Sequence, residues 1–290
     1  MMQVVAIANP ISGGGAARRR WPALEAALTA RGIDARVVWS TGAADAAARA
    51  AEAASDGAVV VAVGGDGQIR DVAAGVMTVP GGVLGIAPAG RGNDLARHLR
   101  LPEEPGAVAD VLRGGRRRTI DTVDVGGTTV LGNVYAGIDS EATEVINRMR
   151  PLGTAAYRVA PVVAALRWRP ARFTVTVDGA AETLLAHMVV VANSGDYGHG
   201  LRMVPSADVG DGRLDVLIVR GDRSKYRLAN LMSQAETGAH IGRPEVLVRS
   251  GGSVTVAADR AVPVHADGDY LMELPFTADV RPRTLTVLVP

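Results

Sequence analysis

Apolar residues in the first 115 positions come in short runs separated by helical spacing. Residues 4–8, 35–39, 58–63 and 83–87 are almost uninterrupted apolar stretches of five or six, the pattern of strands buried on both faces of a parallel sheet. Between them, residues 16–30, 43–54, 69–77 and 94–99 repeat apolar positions every three or four residues, which predicts helices. Strands alternating with helices predict a three-layer α/β/α domain. After about Ile120 the period shortens to two, in residues 173–177, 184–192, 214–219, 246–248, 254–257 and 284–289, with Asp178-Gly179 as a turn signal. This half predicts a mainly antiparallel β-sandwich with helices inserted near 140–149, 155–166 and 225–235. The expected domains are therefore 1–121 and 122–283, with the strand 284–290 returning to the first.

Three strand ends in the first half carry glycine. Residues 58–63 empty into Gly64-Gly65-Asp66-Gly67, and a helix is expected from near Gln68. Glycines let main-chain amides approach an anion closely, and a helix N-terminus adds unpaired N–H groups with a positive dipole end. The loop 9–15, with Ser12 and three glycines, precedes a helix bearing Arg18, Arg19 and Arg20. The loop 88–94 offers Asn93 as a helix cap and Asp94 in the first turn. Ligands of parallel sheets bind outside the C-terminal strand ends, so the three loops are expected along one edge, facing a cleft between the domains.

Composition narrows the chemistry. No cysteine is present, which excludes disulfides and thiolate metal sites. Lys225 is the only lysine, so neither a P-loop lysine nor a protein-kinase strand lysine exists, and phosphate must be gripped by amides, arginine and metal. A net charge of +1 and 3% aromatic residues argue against nucleic acid as a partner. The N-terminal ten residues lack the pattern of a signal peptide. Residues 72–90 are uncharged, but Pro80, Gly81, Gly82 and Pro88 interrupt them. The expected location is the cytoplasm, peripheral to the inner face of the membrane. Arg116–Arg118, Arg167, Arg169, Arg172 and the apolar helix expected over 157–168 suit an anionic surface, although ordinary solvated faces look the same. His187, His199, His240 and His265 show no metal-ligand spacing and are expected at the surface or in supporting positions.

The motifs NPISGGG at 9–15, GGDG at 64–67, PAGRGNDLAR at 88–97, VPSADVGDGRLDV at 204–216 and ADGD at 266–269 span almost the whole chain. In this order they resemble the diacylglycerol kinase catalytic family, bacterial lipid kinases related to sphingosine kinases. The resemblance implies a nucleotide-binding α/β domain followed by a lipid-binding β-sandwich, ATP and Mg²⁺ as cofactors, a lipid acceptor at a membrane surface, and a place in phospholipid metabolism. It implies that Asn9, Ser12, Gly13, Thr41, Gly65, Gly67, Gln68, Arg91 and Asn93 surround ATP. It puts Asp66 near the transferred phosphate and acceptor hydroxyl, makes Asp267 the base, and assigns Asp211 and Asp269 to metal. Asp211-Gly212 and Asp267-Gly268 are also good hairpin-turn pairs. Four positions depart from the family pattern: Gln68 and Arg91 replace hydroxyl residues, and Asp71 and Asp269 replace glutamate. Two other readings stay open, a soluble NAD kinase-type enzyme and a nucleotide- or lipid-binding regulator that has lost catalysis. Oligomeric state, a homodimer included, is not specified.

Overall fold

The computed structural model describes residues 3–11, 14–149, 159, 163–164, 167–198, 200–221 and 227–290. They divide into two compact units, one of Met1–Thr122, Gly198–Gly200 and Arg281–Pro290, the other of Val123–Tyr197 and Leu201–Val280.

In the first unit, β1 (Gln3–Ala8), β2 (Asp34–Trp39), β3 (Val59–Gly64) and β4 (Val83–Pro88) pair in parallel in the order β4-β3-β1-β2. The expected helices form as α1 (Ala16–Thr29), α2 (Ala43–Ser55), α3 (Asp66–Val76) and α4 (Asp94–His98). A further helix, α5 (Pro105–Gly114), was not expected from the periodicity. Its start is nonetheless written in the chain: the Glu104 side chain accepts the Ala107 N–H at 2.8 Å, and Pro105 occupies the first turn. Strand residues alternate between two cores. Val4, Ala6, Ala8, Val61 and Val63 pack with Trp21, Leu24 and Leu28 of α1 and Val108 and Leu112 of α5. The opposite face is covered by α2 and α3, which approach so closely that a Cβ on Gly75 would lie 2.0 Å from the Ala47 carbonyl oxygen. β5 (Arg116–Val125) begins in this unit and continues into the next.

The second unit contains β6 (Thr128–Val130), β7 (Asn133–Gly137), α6 (Ile138–Arg148), β8 (Ala171–Val177), β9 (Ala180–Ala192), β10 (Leu214–Arg220), α7 (Leu228–Ala235), β11 (Val246–Gly251), β12 (Ser253–Ala258), β13 (Pro263–Ala266) and β14 (Asp269–Glu273). Their pairings are antiparallel. The thirteen-residue β9 organises them, pairing with β8 over its first half and with β7 and β10 over its second. β10 is buried on both faces: Leu214, Val216 and Ile218 join Phe173, Val175 and Val254 in one core, while Leu217 and Val219 join Met203, Leu228 and Leu231 in another. The final strand, β15 (Phe276–Val289), pairs with β12 over its first residues and with β4 at Thr286 and Val287.

The short strands β6, β7, β13 and β14 were not expected, because three to five residues carry too little periodicity to register. The helix expected over 155–166 lies for the most part outside the described residues. Among the described residues no helix is long and apolar enough to cross a membrane.

Candidate active site

Parallel pairing sets the positions of the glycine loops. Ala8 is level with Val63 and Trp39, and Gly64 with Pro88, so the chain leaves β1, β2, β3 and β4 at one edge of the sheet. Two loops then touch through their backbones. A Cβ on Gly90 would lie 2.3 Å from Gly65 Cα, and Ala89 N donates to Gly64 O at 2.8 Å. The helix after the first loop reaches the same place: Arg20 donates to Pro88 O at 2.6 Å. Of the first loop, Ser12 and Gly13 lie outside the described residues. Asn9 Oδ1 accepts the Ile11 N–H at 3.1 Å, and Gly14 and Gly15 both have positive φ.

α3 starts two residues earlier than expected, at Asp66, because Gly65 is extended and ends the loop there. The N–H groups of Asp66, Gly67 and Gln68 therefore belong to a helix first turn, whose donors lack intrahelical acceptors. Asp66 Oδ1 accepts the Leu95 N–H at 3.2 Å, and a Cβ on Gly92 would lie 3.2 Å from Oδ2. Asp66 thus caps α4 from the first turn of α3. Asn93, the expected cap, makes no such bond; it adopts a left-handed conformation and its Oδ1 accepts Gly90 N at 2.8 Å. Desolvation, then the charge of Asp94, pushes the Asp66 pKa up, against the pull of the Asp94 and Leu95 amides.

The remaining residues assigned to this edge are placed as follows. Gln68 is buried and its amide donates to Ile7 O at 3.4 Å, tying α3 to the end of β1. The Thr41 N–H is held by Asp45 Oδ2 at 3.0 Å, and Arg91 is exposed. Two partners escaped sequence reasoning. Glu103 accepts from Asn93 Nδ2 at 3.2 Å, and Asp94 Oδ1 accepts Gly200 N at 3.1 Å, from a segment more than 100 residues away.

In the second unit, Asp267 and Gly268 both have positive φ and make the two-residue turn between β13 and β14. The Asp267 carboxylate reaches back to the chain entering β7, where Oδ2 accepts Leu131 N at 3.1 Å and Oδ1 accepts Gly132 N at 2.9 Å and Asn133 N at 3.3 Å. A Cβ at 132 would lie 2.8 Å from Oδ1, so a side chain there would push the carboxylate away from these amides. The turn and the oriented carboxylate are one structure. Asp211 is exposed, and its Oδ1 accepts Arg213 N at 2.9 Å; Asp269 is exposed at the start of β14. Among the described residues no three His, Asp or Glu side chains gather as a metal cage.

Next to Asp267 lies a polar cluster that the sequence analysis did not find. His265 stacks on Tyr135 with 5.7 Å between centroids, and its Nε2 is 3.2 Å from Glu144 Oε1. Tyr197 donates to Asp139 Oδ2 at 3.1 Å, and Ser140 N to Oδ1 at 3.0 Å. His187, His240 and His265 are all buried, which excludes the surface and leaves the supporting positions that were the other expectation; His240 pairs with Met203 O at 2.8 Å. His199 lies outside the described residues.

Burial raises the Asp139 pKa from 3.8 to about 6, against the pull of the Tyr197 hydroxyl and the Ser140 amide. A raised carboxyl pKa stabilises the fold fully below the unfolded value and loses that contribution as pH climbs through the folded one. Stability is therefore expected to fall between about pH 4 and pH 6, by at most about 3 kcal/mol from this group. Asp139→Asn should flatten this step in denaturant unfolding curves.

The parallel α/β unit and the antiparallel unit each match a known family of domains. Residues 3–125 match the diacylglycerol kinase catalytic domain, and residues 132–289 match the YegS C-terminal NAD kinase beta sandwich-like domain. The chain belongs to the diacylglycerol kinase catalytic-domain family. It is 36% identical over 301 residues to a protein named diacylglycerol kinase of Mycobacterium tuberculosis (strain ATCC 25618 / H37Rv), covering 99% of this chain and 95% of that one. It is 27% identical over 279 residues to the diacylglycerol kinase of Bacillus subtilis (strain 168), covering 93% and 90%. The crystal structure of a diacylglycerol kinase from Bacillus anthracis str. Sterne superposes with a TM-score of 0.78 at 20% identity, covering 99% of this chain and 97% of that one, which speaks for the fold.

Proposed function

We propose that this chain is an ATP-dependent lipid kinase that transfers the γ-phosphoryl group to a hydroxyl of diacylglycerol or a similar lipid. The observation that carries this reading is the backbone contact of Gly65 with Gly90 beside Asp66, which gathers helix N-terminal amides at one sheet edge without any lysine. The names of the relatives in Mycobacterium tuberculosis and Bacillus subtilis support the lipid acceptor.

In this reading the first-turn amides of α3, with Asn9, Ser12, Gly13, Thr41, Gly65, Gly67, Arg91 and Asn93, hold the triphosphate, and Asp66 serves the transferred group. Gln68 holds α3 against β1 from within. Asp267 takes the proton of the lipid hydroxyl as its oxygen bonds to the γ-phosphorus. The bond from that phosphorus to the β–γ bridging oxygen breaks, and ADP leaves with the electron pair. Asp211 and Asp269 are hard oxygen donors, and Mg²⁺ is commonly held by one or two carboxylates together with substrate phosphates, so these two would hold it. When bound, Mg²⁺ supplies charge neutralisation on the phosphates.

The test is transfer of label from γ-labelled ATP to diacylglycerol in mixed micelles by the purified chain, with NAD as a parallel acceptor. Label in the lipid phase is the expected result. Label in NAD alone would replace this reading with the soluble nucleotide kinase, and ATP binding without transfer to either would leave the regulator.

A further inference from the structure

Two large apolar side chains stand exposed at the same end of the first unit, Trp39 at 37% and Ile11 at 80%. Trp39 is the last residue of β2 and is level with Ala8, the last of β1; Ile11 follows in the loop that leaves β1. This is the edge at which the glycine loops leave β3 and β4. The backbone holds both residues there. Ser40 N donates to Ala8 O at 2.9 Å, tying the exit of β2 to that of β1, and the Ile11 N–H is held by Asn9 Oδ1 at 3.1 Å. The other two tryptophans, Trp21 and Trp168, are buried, as befits a side chain of this apolar area.

Strand alternation gives the side of the sheet. Ala35 and Val37 pack on the core formed with α1, and Trp39 continues their row on that face. α1 packs on β2 and begins at Ala16, directly after the loop 9–15, so it starts at this end of the same face. The order β4-β3-β1-β2 puts β2 at the margin of the sheet. It lies two strand spacings, about 10 Å, from β3, after which come the first-turn amides of α3. A nucleotide whose phosphates meet those amides can span that distance with its ribose, and its base then arrives at the indole. In the other direction Gly65 and Gly90 are in backbone contact and leave no room for a ring between the β3 and β4 loops.

We propose that Trp39 is the base-binding residue of the nucleotide site, its indole stacking on the purine of ATP while Ile11 covers part of the same ring. The residues that the family resemblance assigns to ATP are all polar or glycine, suited to phosphate and sugar oxygens, and none is a large apolar or aromatic side chain. Trp39 and Ile11 supply the missing surface. Stacking on an indole uses the π-face that every base has, so it gives affinity for the base without hydrogen-bond readout. The assignment rests on the kinase reading, since it takes ATP as the ligand.

The test titrates the full chain, without lipid, with ATP and with tripolyphosphate in magnesium chloride, following tryptophan fluorescence and calorimetric heat. ATP is expected to quench the fluorescence, and tripolyphosphate to bind without quenching. Trp39→Ala should abolish the quenching and weaken ATP about thirtyfold, within the range for loss of one stacked base, while tripolyphosphate stays within about twofold of wild type. Trp39→Phe keeps a ring and should lose the quenching yet hold ATP within about threefold. Ile11→Ala should weaken ATP about fivefold. Leu185→Ala, at an exposed apolar residue of β9, should change neither ligand. A merely structural role for Trp39 would weaken ATP and tripolyphosphate together. That result, or ATP binding with unchanged fluorescence, overturns the stacking assignment and leaves the kinase reading in place. Failure of the wild-type chain to bind ATP at all would overturn both.

Discussion

Asp267→Asn is expected to lower kcat for lipid phosphorylation about 10³-fold, the usual contribution of a positioned general base. The structure sets a second, smaller effect. The carboxylate accepts main-chain N–H groups from Leu131, Gly132 and Asn133, and an amide placed there can keep an oxygen toward only some of them. The misplaced NH₂ should cost about 1–3 kcal/mol of stability. These effects are separable by measuring kcat, the KM for each substrate and the denaturant midpoint on the same preparation. A kcat loss of tenfold or less, with the midpoint lowered, would reduce Asp267 to the residue that pins the β13–β14 turn to the start of β7, and the base would have to be sought elsewhere.

Gly90→Ala is expected to be the most damaging single-methyl change at the sheet edge. The new Cβ would sit 2.3 Å from Gly65 Cα and 2.7 Å from Asn93 Oδ1, and the first of these is backbone that no rotamer change can move aside. The two loops must separate by about 1 Å, a displacement that elsewhere costs about 100-fold in rate, so kcat/KM for ATP should fall by that order. Overpacking should also lower stability by about 1–3 kcal/mol. Gly114→Ala is the control: nothing lies within 4 Å of its added methyl, and activity and melting temperature should stay at the wild-type level. Wild-type ATP kinetics in Gly90→Ala would show that the loop contact does not shape the nucleotide site.

Much of the first unit could be read directly from the chain. Residues 58–63 are apolar without a break because both faces of β3 are covered, and that burial leaves no polar alternation to confuse the pattern. The glycines after it were equally plain, since close backbone approach leaves no other residue type. What could not be read was which loop each glycine meets. Gly65 and Gly90 are 25 positions apart, and nothing local to either one names the other. Asn93 illustrates the same limit: local rules make it a helix cap, but the cap came from Asp66, because the β3 and β4 loops are brought together by the register of neighbouring strands.

The polar cluster of the second unit was hidden for a related reason. Tyr135, Asp139 and Glu144 lie on β7 and the following α6, Tyr197 and His265 far along the chain, and each alone is an unremarkable surface type. Pairing of β7 with β13, at His265 opposite Tyr135, buries these two and brings the other three beside them. β13 is four residues long and carried no usable period.

By itself the chain determined the alternation of strand and helix, the change to an antiparallel half, and the glycine turns at strand ends, because each depends on periodicity or on backbone freedom within a few residues. Tertiary structure alone decided that Asp66 caps a helix it does not belong to and that the Asp267 carboxylate is aimed by amides some 135 positions earlier. Those are contacts between distant segments, and their energies follow from sheet register and burial, which only the folded chain defines.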